Sequence, residues 1–147
     1  MSHPVKIVVI KEKSKQEAHM EYSTEVMQKI AEILVGEMER MGQAEGNTQE
    51  METGLREMLQ QVGAATLGLL LEKRDESENR GKRLACECGG EQRFLFRREA
   101  KIVSVFGRVR YRRRYFRCPD CGRGQSPLDG QVGVEPGQVT SGLSALL

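Results

Sequence analysis

The sequence predicts an α+β chain, an N-terminal α-helical hairpin followed by a small antiparallel β zinc ribbon. Three observations predict it. Four cysteines fall in two tight pairs, Cys86/Cys88 and Cys118/Cys121. Before them apolar residues recur every three or four positions, and between them the period is two. The charge is also segregated. Residues 1–79 carry 9 Lys/Arg against 15 Asp/Glu, residues 80–117 carry 13 against 3, and residues 118–147 carry 1 against 3. A net charge of +2 therefore hides an acidic first half joined to a concentrated basic block, which suits a polyanionic partner.

Taken in order, Val5 to Ile10 is an apolar run that reads as a strand without a nameable pairing partner. Ser14 and Glu17 have capping-box spacing and open a helix that should reach Met41 and stop at Gly42. Its stripe is Met27, Ile30, Leu34, Met38 and Met41. Asn47 and Glu50 repeat the capping pattern and open a second helix, Thr48 to Lys73, with Met51, Leu55, Met58, Val62 and Leu69 in line. A short connection between two amphipathic helices gives an antiparallel hairpin. The stripes read first as ordinary core, with an oligomer seam or a docking face for another part of the protein as the alternative. The charged stretch Asp75 to Lys82 reads as a linker, dividing a helical unit (1–79) from a ribbon (80–126) and a C-terminal region (127–147).

Beyond the linker, Arg93–Arg97 and Lys101–Phe106 read as two strands, and a turn at Gly107 leads into a third, Arg108–Arg117. The third alternates: Arg108, Arg110, Arg112 and Arg114 face one way, Val109, Tyr111, Arg113 and Tyr115 the other. These strands carry the chain from one cysteine pair to the other. Cys118-Pro119-Asp120-Cys121-Gly122 makes a tight turn, in which proline fixes φ and glycine tolerates φ > 0. Two such turns brought together offer four thiolates in a tetrahedron, which suits Zn2+ in a closed, structural site. An iron site of rubredoxin type competes with zinc, and free thiols or disulfides remain the plain alternative. Paired cysteines without a secretory signal fit a reducing, cytoplasmic setting. The longest apolar stretch, Ala64 to Leu71, is too short to span a membrane.

An arginine row on a ribbon can chelate phosphate oxygens and release counterions on docking. Arg108, Arg110, Arg112, Arg113, Arg114 and Arg117 are the candidate DNA contacts, with Tyr111, Tyr115 and Phe116 placed to stack on bases. The rival reading pairs these arginines with the acidic helices. His3 and His19 stand far from the cysteines and read as surface residues. Asp129 is the only tempting catalytic carboxylate near the ribbon, and one carboxylate makes no two-metal site. The chain reads as a non-enzyme.

A longer string adds to this. Tyr115-Phe116-Arg117-Cys118-Pro119-Asp120-Cys121-Gly122 continues through Arg123-Gly124-Gln125-Ser126-Pro127-Leu128-Asp129 to Gly133-Val134-Glu135-Pro136-Gly137 and Thr140-Ser141-Gly142-Leu143. It resembles the N-terminal, zinc-ribbon portion of bacterial insertion-sequence transposases, over Leu84 to Leu147. The resemblance puts Cys86, Cys88, Cys118 and Cys121 on the family's metal positions and Pro127, Leu128 and Asp129 on its post-ribbon motif. Gln125-Ser126 departs from the aromatics common there, and Gln131 to Val134 from a leucine-rich run. It implies a part that recognises transposon ends or assembles on them, associated with the bacterial nucleoid. Such transposases continue into an acidic catalytic domain, so this chain is expected to be truncated before it. A zinc-ribbon protein-interaction adaptor is the alternative.

Overall fold

The computed structural model describes residues 15–43 and 45–147, with side chains of the first helix described from Thr24 onward. The strand expected at Val5–Ile10 and the Ser14 cap lie outside the described residues. Helix α1 (Lys15–Gly42) ends at the expected glycine, and helix α2 (Thr48–Asn79) begins where its cap predicts. The Asn47 side chain accepts from the Glu50 N–H, and the Glu50 carboxylate accepts from the Asn47 N–H, both at 3.1 Å. The helices are antiparallel. Glu25 pairs with Lys73 at 2.8 Å at one end, and Arg40 approaches Glu57 at 3.9 Å at the other.

Helix α2 runs six residues past its expected end at Lys73, through the stretch read as a linker. Its buried positions are Gly54, Met58, Gly68, Leu71, Asp75 and Asn79, so an apolar stripe passes into a polar one on the same face. Met51 and Leu55, expected in that stripe, are exposed. Asp75 and Asn79 stay buried because each is satisfied. Asn79 donates to Asp75 at 2.9 Å and exchanges reciprocal amide bonds with Gln131 at 2.9 and 3.0 Å.

The sheet is antiparallel, in the order β1 (Leu84–Ala85), β2 (Glu91–Ser104), β3 (Gly107–Arg117), β4 (Gly124–Gln125). The two strands expected between Arg93 and Phe106 are one strand, β2. Arg98-Glu99-Ala100 stays in register with Arg113-Arg112-Tyr111. A β-bulge lies between Phe94 and Phe96, so Leu95 is an extra residue opposite β3. Two short helices follow, α3 (Pro127–Val132) and α4 (Ser141–Ser144).

The core joins these parts. Ala100, Ile102, Val109 and Tyr111 from the hairpin pack with Leu71 of α2, Leu128 of α3 and Val134. Helix α2 lies along the β3 edge. Glu72 accepts from the Arg112 N–H at 2.7 Å and Asp75 from the Arg114 N–H at 2.9 Å, in place of a neighbouring strand. Gly68 permits that approach, since a Cβ there would stand 2.7 Å from the Arg110 carbonyl oxygen. The β2 edge is covered near the hairpin tip by residues 137–140, where Gly137 and Thr140 donate to Lys101 and Val103. No described helix is long and apolar enough to cross a membrane.

Candidate metal centre and basic face

The hairpin brings the cysteine pairs together. One knuckle precedes β2 and the other follows β3, so the antiparallel register sets both at the same end of the sheet. Each knuckle is closed by its own backbone. Cys86 N–H bonds the Gly90 carbonyl and Gly89 N–H the Cys86 carbonyl, both at 2.9 Å. Cys118 N–H bonds Arg123 at 2.8 Å and Gly122 N–H bonds Cys118 at 2.9 Å. Gly89 and Gly122 take the positive φ of 88° and 77° that these turns require. Arg123 on the second knuckle pairs with Glu87 on the first.

The four Sγ atoms lie within 4.8 Å of one another, with Cys86–Cys121 at 3.5 Å and Cys88–Cys118 at 3.6 Å. A tetrahedron with metal–sulfur bonds of about 2.3 Å has edges of about 3.8 Å. The cluster can therefore hold a metal ion. Gly90 keeps the space open, because a Cβ there would stand 3.2 Å from Cys118 Sγ and 3.4 Å from Cys88 Sγ. The electrostatics agree. The Cys88 backbone N–H draws the Cys86 thiol down to about 7. The Gly90 N–H pulls on Cys88 in the same direction, yet the other three sulfurs push it up to about 12. Four sulfurs this close resist a second negative charge, and a central cation removes the conflict.

The six expected arginines divide into two sets. Arg108, Arg110, Arg112 and Arg117 are exposed, whereas Arg113 and Arg114 are turned to internal use. Arg113, on the core side of the sheet, donates to Asp129 through Nε at 2.6 Å and Nη2 at 3.1 Å. That bidentate pair gives Asp129 a structural role. Arg114 stands 3.9 Å from Asp75 and over the ring of Phe94. Arg117 donates to the Gly122 carbonyl at 3.2 Å, beside the second knuckle.

Of the aromatics expected to stack on bases, Tyr111 and Phe116 are 1% and 0% exposed. Burial holds the Tyr111 hydroxyl pKa above its ordinary value, with Asp129 adding to the effect. The exposed large apolar side chains of the ribbon are instead Phe94, Leu95 and Phe96 on β2, with Val105 and Phe106 at the hairpin turn. The sequence carried that signal as the run Arg93-Phe94-Leu95-Phe96-Arg97, which alternation alone divides into two half-buried faces.

No protein-family model, curated protein or solved structure matches this chain.

Proposed function

We propose that this chain is a zinc-stapled β ribbon that grips the phosphate backbone of DNA through the outer face of β3. The observation that carries the reading is an unbalanced row of cations. The guanidiniums of Arg108, Arg110 and Arg112 form no ion pair among the described residues, although Glu99 lies opposite Arg112 in the register and Glu72 accepts from the Arg112 backbone N–H. The register then sets Lys101, itself 3.7 Å from Glu99, directly opposite Arg110. Like charges directly across a ladder destabilise a sheet, and a bound polyanion relieves that repulsion. Pairing with the acidic helix accounts for Arg97, with Glu76, and for Arg114, with Asp75. It does not reach the other three.

Cys86, Cys88, Cys118 and Cys121 would hold the zinc, which supplies folding free energy rather than chemistry. All-thiolate donors and a closed set of four favour zinc. Metal analysis of purified protein tests this, and a coloured, iron-loaded product would replace zinc by iron. The resemblance of Leu84–Leu147 to insertion-sequence transposases supports a role in recognising transposon ends or assembling on them, with no strand transfer by this module. The test is fluorescence anisotropy of zinc-loaded protein with a labelled duplex at low and moderate salt. Steep salt dependence that flattens in Arg108→Ala/Arg110→Ala/Arg112→Ala upholds the reading, and unchanged affinity in that variant removes it.

A second reading, a protein-interaction adaptor, is favoured by Met27, Val35 and Met38 on α1 and Met51, Leu55 and Leu59 on α2, all exposed. Light scattering tests whether these faces associate with a second copy. A catalytic-domain partner is the other candidate for them.

A further inference from the structure

The outer edges of the β2–β3 hairpin are covered along much of their length. Glu72 and Asp75 cap β3, residues 137–140 lie along Lys101 to Val103, and β1 pairs with Glu91 and Gln92. Residues 93–99 of β2 lack such cover and are all exposed. Their centre is apolar, with Phe94, Leu95 and Phe96 at 46%, 52% and 46% exposure. Arg93, Arg97 and Arg98 flank it, Arg97 standing 3.9 Å from Glu76 and Glu99 closing the segment, so three cations face one anion within it.

The bulge decides how the two rings are presented. In a regular strand Phe94 and Phe96 would share a face. With Leu95 inserted, Phe94 pairs with Phe116 and Phe96 with Tyr115, which lie on opposite faces of β3. Rings therefore flank the edge on both sides. Phe94 meets Phe116 edge-on at 6.2 Å, and the Arg114 guanidinium lies 4.9 Å from its centroid. Phe96 lies 5.6 Å from Tyr115, which Arg98 covers at 5.6 Å. By strand parity Phe94 shares its face with Arg108, Arg110 and Arg112, so ring and cation row are continuous.

We propose that this β2 edge binds unpaired nucleobases, so that the module takes nucleic acid with single-stranded character next to the stretch gripped by the arginines. The proposal rests on the nucleic-acid reading above. Duplex phosphates need cations and leave three exposed apolar side chains unused. An unpaired nucleotide offers both a phosphate for the guanidiniums and an aromatic face for the rings. Charge complementarity thus commits the apolar patch to a polyanion that carries π-faces.

The experiment compares a labelled single-stranded oligonucleotide with a blunt duplex of the same sequence, using the full zinc-loaded chain. Phe94→Leu/Phe96→Leu keeps apolar volume against Phe116 and Tyr115 but removes both rings. It should lose about tenfold or more on the single strand and less than about twofold on the duplex. Arg108→Ala/Arg110→Ala/Arg112→Ala should weaken both. As a second readout, the chain has no tryptophan, so Phe96→Trp gives a lone indole whose emission a stacked base should quench. Equal losses on the two probes, or an unquenched indole, would overturn the base platform and leave the arginine row standing. Failure of the wild type to bind either probe would remove the nucleic-acid reading itself. Polyglutamate that competes as well as the oligonucleotide, and is equally weakened by the leucine variant, would reassign the edge to an acidic peptide.

Discussion

The two halves of the β2–β3 hairpin are held by different means. Toward the tip, Ala100, Ile102, Val109 and Tyr111 are buried under α2, α3 and Val134, and ordinary packing suffices. Toward the knuckles, Phe116 and Cys118 are fully buried, but Phe94, Leu95 and Phe96 stand in solvent, and the sheet is crossed by basic pairs such as Arg93 with Arg117. That end has little apolar burial for its charge, and a metal held by the four clustered sulfurs would supply stability that a core gives elsewhere. The difference teaches that the exposed apolar side chains of the ribbon lie at the end where the cysteine cluster, and not the packed core, joins the strands.

The strongest way to break the comparison is Cys118→Ser. It should unfold the knuckle half, seen as loss of amide-exchange protection around residues 84–94 and 116–125, while helical circular dichroism and protection of Ile102 and Val109 persist. Loss of both halves together would mean that the packed half depends on the metal as well. Next in size is Asp129→Ala, which leaves the buried Arg113 guanidinium unpaired in the packed half. It should cost about 3–5 kcal/mol in denaturant titrations and leave metal content unchanged. Gly68→Val should cost about 1–3 kcal/mol, because its side chain pushes α2 away from the Arg110 carbonyl and strains the packed half alone.

The smallest effect sharpens the contrast between stability and function. Arg110→Thr removes the like-charge pairing with Lys101 and should raise stability by a few tenths of a kcal/mol. The same substitution should weaken duplex binding and lower the salt slope by about one. A variant that is both less stable and fully competent to bind DNA would show that Arg110 serves the sheet instead.

Much of this architecture was legible in the sequence where a residue type has one dominant use. The cysteine spacing announced the knuckles, Asn47 and Glu50 fixed the start of α2, and alternation along β3 was readable from Arg108 to Arg113. Legibility failed where a polar residue is buried. Asp75 and Asn79 look like linker composition, yet Asp75 serves a backbone N–H 39 residues away, at Arg114. Hydrophobic periodicity cannot register such a stripe, because its partner is set by tertiary packing. For the same reason Arg98-Glu99-Ala100 looked like a gap between strands, although it pairs in full with β3. The clustering of the four cysteines and the exposure of Arg108, Arg110 and Arg112 were readable. The turning inward of Arg113 and Arg114 was not, since an arginine in an alternating strand carries no mark of which carboxylate it will meet.

One consequence of the α2 contact concerns growth rather than binding. Because carboxylates fill the positions along β3 that a further strand would use, sheet extension stops there unless α2 is first lifted away. A hairpin rich in β-forming residues would otherwise template the addition of its own copies. Glu72 and Asp75 thus act as terminators of the β3 edge, and their removal should open that edge to a further strand.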